Sequence, residues 1–112
     1  MQICLTQRGP LHGADGRLVE AGYATSLIKT YDRARIKASP LRIKEWDYYL
    51  ISNDSFALAL TVADNGYMGL DSISFIDLDA QTHHTGSRMV PFPMGRRNLP
   101  ASSAAGRIVV QG

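Results

Sequence analysis

Residues 56–78 read FALALTVADNGYMGLDSISFIDL, two runs of alternating large apolar and small or polar side chains on either side of Asn65-Gly66. Alternation with a period of two marks a strand whose faces see different surroundings. Asn-Gly readily takes the positive φ angles that a two-residue hairpin loop requires. The stretch therefore predicts an antiparallel hairpin. With Asn65 and Gly66 as the loop, Val62 faces Gly69, Leu60 faces Asp71, Leu58 faces Ile73 and Phe56 faces Phe75. One side of the ribbon is then apolar, and Ala57, Ala59, Thr61, Ala63, Ser72 and Ser74 occupy the other, which suits a sheet covered on one side.

Strand signals continue outward in both directions. Trp46 to Ile51 is rich in aromatic and branched residues, and Asp77 to Gln81 reads as a turn into a further strand from Thr82 to Val90. The prolines at 91, 93 and 100 then break regular pairing, because proline supplies no ladder N–H and restricts the residue before it; that connection is expected on the surface. Arg107 to Gln111 reads as one more strand. Upstream, Gly9-Pro10, Gly13, Asp15-Gly16 and Gly22 punctuate the chain too densely for long elements. Residues 25–38 match a helical period only in part, so their state is left open up to the stop at Ser39-Pro40. The fold class is mainly β: a turn-rich leading segment over 1–40 and an antiparallel meander over 41–112, in a single domain.

A chain of 112 residues supports one hydrophobic core. No window approaches the apolar length of a membrane span, and the first residues lack the apolar stretch of a secretory leader. Cys4 is the lone cysteine, which excludes an internal disulfide and paired-cysteine zinc sites and reads as a cytoplasmic thiol. The net charge of +2 hides a segregation. Residues 1–44 hold eight Lys/Arg and three acids, residues 45–87 hold seven acids and no Lys or Arg, and residues 88–112 hold four Arg and no acids. Lys29, Arg33, Arg35, Lys37, Arg42 and Lys44 would make a phosphate-binding stripe. The preferred reading is that they are matched internally by the acidic sheet, so no nucleic acid is expected as a partner.

Asp71 projects from the same face of the hairpin as Phe56, Leu58, Leu60, Val62, Ile73 and Phe75. As a functional group it would be a proton donor whose pKa is raised by desolvation. As a structural group it pairs with Arg or Lys, accepts backbone N–H bonds, or is turned outward by a β-bulge at Gly69; this second reading is preferred. Trp46 and Tyr48, on one face of their strand, bring polar tips on apolar bodies and suit either a ligand cavity or a sheet boundary. His83 and His84 are strand neighbours pointing to opposite faces, which makes a shared metal ion unworkable. There is no nucleophile elbow, phosphate loop, dinucleotide fingerprint or H-E-x-x-H, and no cofactor is read from the chain.

The stretches RIKEWDYYLIS (42–52), TVADNGYMGLDSISFIDLD (61–79) and PFPMGRRNLP (91–100) closely resemble the opening part of the domain-of-unknown-function family numbered 2804, and Leu5-Thr6, Gly16 and Gly22-Tyr23-Ala24 fit as well. That family is similar to lipocalin-like proteins with tandem β-barrel or half-barrel domains, a group that includes carotenoid hydratases. The resemblance implies part of a lipocalin-like barrel and no assigned catalytic residue. Members are longer, so the chain is expected to be an N-terminal fragment whose missing C-terminal portion covers its last strand. Three functions follow as expectations. The first is a module binding a lipid or isoprenoid-like molecule on Phe56, Leu58, Leu60, Ile73 and Phe75 with Trp46 and Tyr48. The second is a hydratase or isomerase using Asp71, and the third is a structural half of a larger protein. No oligomeric state is implied.

Overall fold

A computed structural model describes residues 1–110. The chain divides into two compact units, one made of Met1–Ala38 with Pro100–Arg107 and the other built around Ser39–Leu99.

The first unit has little regular structure, as its glycines and prolines dictate. Strands β1 (Gly9–Pro10) and β2 (Lys29–Thr30) form a short parallel pair. Isolated bridges join Cys4 to Tyr23 and His12 to Leu18. Residues 25–38, left open by the sequence, contain no α-helix; Asp32 caps a 3-10 turn over Arg33–Arg35 by accepting the Ala34 N–H at 2.9 Å. Glu20 and Lys29 form an ion pair at 3.5 Å.

The second unit is one antiparallel sheet of four strands in sequence order: β3 (Glu45–Ser52), β4 (Phe56–Asp64), β5 (Met68–Asp77) and β6 (Thr82–Pro91). The meander and its three hairpins are those expected. Asn53 builds the β3–β4 turn, its side-chain oxygen accepting the N–H groups of Ser55 and Phe56, each at 2.9 Å. The sheet is not closed into a barrel: β3 and β6 are edges among the described residues.

The central register differs from the expected one. Val62 faces Asp71, Leu60 faces Ile73, Leu58 faces Phe75 and Phe56 faces Asp77. The Asn65 N–H bonds to the Met68 carbonyl at 2.9 Å, so Gly66 and Tyr67 form the loop and only Gly66 is left-handed, with φ 80°. Glycine is also required at 66 from outside the hairpin. A β-carbon on Gly66 would come within 2.5 Å of the Pro40 and Leu41 carbonyl oxygens, so the turn sits where those carbonyls allow only glycine. Because each partner moves by two residues, no side chain changes face.

Two further expectations are corrected. The β4–β5 ladder runs unbroken past Gly69, so there is no bulge there. Residues 107–110 pair with nothing in a ladder, and Gln111 lies outside the described residues; Gly106, at φ 136°, turns the chain out of strand geometry just before them.

Candidate functional site

Residues paired across an antiparallel ladder share a face, so the register sorts every side chain of the sheet. On one face, here the Leu60 face, successive rows across β3, β4, β5 and β6 are Ile51, Leu58, Phe75, His84; then Tyr49, Leu60, Ile73, Gly86; then Asp47, Val62, Asp71, Arg88. Phe56 extends the apolar end, stacked on Phe75 with ring centroids 5.7 Å apart. The opposite face carries Trp46, Tyr48 and Leu50 beside Ala63, Thr61 and Ala59. The buried core of β4 consists of its alanines 57, 59 and 63, whereas Ile51 (59% exposed), Phe56, Ile73 and Phe75 (44%) present apolar surface on the Leu60 face.

The expected ligand-binding set is therefore divided. Phe56, Leu58, Leu60, Ile73 and Phe75 lie together on the Leu60 face; Trp46 and Tyr48 lie on the other side of the sheet and do not join them. Their places are taken by Tyr49 and Ile51. A signal for this exists in Ser52-Asn53-Asp54-Ser55: with Asn53 bonded to Phe56 (N–H to carbonyl, 3.0 Å), the turn fixes Tyr49 opposite Leu60.

Asp71 is held between two arginines. One carboxylate oxygen accepts from Arg88 Nη2 at 2.9 Å and the other from Arg97 Nη2. Arg97 also donates through Nη1 to the Ala63 carbonyl at 3.2 Å. The side chains of Arg97 and Asp71 are 9% and 13% exposed, while that of Arg88 is 42% exposed. Gly69 makes the approach possible, since a β-carbon there would stand 3.0 Å from Arg97 Nη1 and 2.9 Å from the Ala63 oxygen. No local pattern points to Arg97, which comes from the proline-rich connection. That connection folds back onto the hairpin, with Pro93 buried. Phe92 N–H bonds to the Tyr67 carbonyl at 2.9 Å and Met94 N–H to the Gly66 carbonyl at 3.1 Å. Asp64 accepts the N–H groups of Gly66 (3.1 Å) and Gly95 (2.7 Å).

A second carboxyl on the Leu60 face behaves differently. Asp47 Oδ2 is shut off from solvent and has no hydrogen-bond partner. Desolvation, and secondarily the neighbouring Glu45 carboxylate, push the Asp47 carboxyl above its ordinary pKa. Among the described residues no group of three His, Cys, Asp or Glu side chains could hold a metal ion. His83 and His84 face opposite sides, paired with Ile76 and Phe75.

The family model described as "Domain of unknown function (DUF2804)" matches residues 2–112. The chain belongs to DUF2804. No curated protein and no solved structure matches it significantly. The chemistry of this DUF2804 chain is thus that of its own sheet: an apolar block at one end of a face, a two-arginine carboxylate knot at the other, and Asp47 beside both. No helix among the described residues is long and apolar enough to cross a membrane.

Proposed function

We propose that this DUF2804 chain supplies one wall of a site for a hydrophobic small molecule, lipid- or isoprenoid-like, within a longer lipocalin-like protein whose C-terminal portion completes the enclosure. The observation that carries the reading is the block of Tyr49, Leu60, Ile73, Ile51, Leu58 and Phe75, contiguous in two rows, half-exposed to exposed, and bounded on one side by charged Asp47, Asp71 and Arg88. A rimmed apolar patch of this kind marks an interaction site rather than ordinary surface. Organic extraction of the purified protein should release an apolar compound. Ile73→Asn with Phe75→Asn should weaken fatty-acid binding about tenfold, the worth of burying about one apolar side chain. Wild-type protein that binds no fatty acid, or a double variant that binds as well, contradicts the proposal.

A second reading, an enzyme of hydratase or isomerase type, is favoured by one observation. Both oxygens of Asp71 are taken up by guanidinium donors, both oxygens of Asp64 accept backbone N–H groups and Asp77 accepts the Ala80 N–H in the far turn, so the carboxyl best placed to lend a proton on this face is Asp47, whose solvent-excluded Oδ2 borders the Tyr49–Leu60–Ile73 row. Asp47→Asn should then abolish turnover of an alkene substrate while leaving its binding intact; unchanged turnover excludes this role.

A further inference from the structure

The two ends of the four-stranded sheet differ in charge and in surface. At one end lie the segment before β3, the Gly66-Tyr67 loop and the connection after β6. Gly66 ties them together, close to the Pro40 and Leu41 carbonyls and accepting the Met94 N–H. This end exposes Leu41, Tyr67, Phe92 and Met94. Its exposed charges are Arg42, Lys44, Arg96 and Arg88, the last paired with Asp71, whereas its acids, Glu45, Asp47, Asp64 and Asp71, are half-buried or buried. The other end carries exposed Asp54 and Asp79 with half-buried Asp77, and no Lys or Arg. The exposed charge of the sheet is therefore mainly cationic at this end and anionic at the other, and the cationic end is tipped by apolar and aromatic side chains.

Presentation of those tips carries a cost. Phe92 and Met94 have φ of 45° and 49°, a left-handed conformation that side chains other than glycine and asparagine seldom adopt. It is sustained by the Tyr67 and Gly66 carbonyls and by Arg96, which donates to the Phe92 carbonyl at 2.6 Å. Two bulky apolar residues are thus held outward when an extended backbone would be easier.

We infer that this end of the sheet docks on the surface of an anionic phospholipid bilayer, Leu41, Tyr67, Phe92 and Met94 entering the interface while Arg42, Lys44 and Arg96 meet lipid phosphates and carboxylates. Exposed apolar tips ringed by cations suit such a surface, where apolar burial and attraction to anionic lipid act together. A nucleic acid would use the cations but gains little from Leu41 and Met94, which offer no stacking plane. The proposal stands apart from the ligand reading, since it uses none of the Leu60-face residues.

The chain has one tryptophan, Trp46, exposed in the second residue of β3 near this end, so its emission reports docking directly. Sedimentation with phosphatidylcholine vesicles containing phosphatidylserine should bring the protein down with a blue shift of Trp46 emission, and vesicles of phosphatidylcholine alone should not. Arg42→Gln and Lys44→Gln should each weaken binding roughly fivefold, as expected per cation near an anionic surface. Tyr67→Ser, in an exposed loop side chain, should weaken it without altering the circular dichroism spectrum. Asp54→Lys should leave binding unchanged, because the far end of a nine-residue strand lies roughly 30 Å away, beyond the Debye length at physiological salt. Equal binding to neutral vesicles, no binding to either, or displacement from vesicles by a single-stranded oligonucleotide that binds with the same Arg42 and Lys44 dependence overturns the inference.

Discussion

The carboxylate of Asp64, 1% exposed, accepts the backbone N–H of Gly95 at 2.7 Å, from a residue 31 positions further along the chain. Its other oxygen holds the Gly66 N–H in the hairpin loop. One buried side chain thus fastens the turn between β4 and β5 to the connection that follows β6. Asp64→Ala removes both bonds and leaves two N–H groups without their acceptor. Hydrogen bonds to a charged group are worth about 1.5–3 kcal/mol each, so a loss of about 3 kcal/mol is expected, read from the urea midpoint.

Arg97 and Arg88 reach the same carboxylate and should not matter equally. Arg97 is almost fully buried, while Arg88 is exposed by almost half. Removing a partner from a buried pair leaves a charge stranded, and Arg97→Met should cost about 3 kcal/mol. Arg88→Met should cost about 1 kcal/mol or less, as exposed pairs do. Equal costs in chemical denaturation would show that the knot does not depend on burial.

Gly69→Ala tests the same knot without touching a charged residue. The added methyl would meet the Ala63 carbonyl at 2.9 Å and Arg97 Nη1 at 3.0 Å, so both the ladder backbone and the guanidinium must shift and the Arg97 bond to the Ala63 carbonyl is disturbed. A loss of about 2 kcal/mol is expected. In an Arg97→Met background the part of that loss due to the guanidinium should vanish while the part due to the Ala63 carbonyl remains, and a double-mutant cycle separates the two.

Asp47 predicts a pH dependence. Its folded pKa is raised by burial and by Glu45, so between the ordinary carboxylate value and the raised one the folded state binds more protons than the unfolded state. Stability contributed by this group is therefore present at low pH and falls as pH rises through that window, the reverse of a salt-bridged carboxylate. Asp47→Asn should remove this downward slope and raise the neutral-pH urea midpoint. A variant with an unchanged slope would show that Asp47 titrates normally.

Strand positions were legible because they rest on local signals. Alternation marked β4 and β5, aromatic and branched residues marked β3, and Asp77 supplied turn chemistry within three residues of the Ala80 N–H it accepts. The register at Gly66 was not legible, because Gly66 belongs to both adjacent two-residue loops, Asn65-Gly66 and Gly66-Tyr67, and its positive φ suits either. Likewise, alternation placed Trp46 and Tyr48 on one face of β3 without saying which face of β4 that would be. The arginine partner expected for Asp71 exists, but nothing near Asp71 pointed to Arg97, 26 positions away. Arg107 to Val110 has strand composition and no partner strand among the described residues, so propensity alone did not suffice there.

The central claim is that the Leu60 face, and not the face bearing Trp46 and Tyr48, receives an apolar ligand. Methyl-labelled protein titrated with a fatty acid below its critical micelle concentration tests this by NMR. Saturable shifts are expected for the methyls of Ile51, Leu58, Leu60 and Ile73, with those of Leu50, Leu70 and Ile76 on the opposite face unmoved. Shifts confined to Leu50, Leu70 and Ile76, or none on either face, would contradict it.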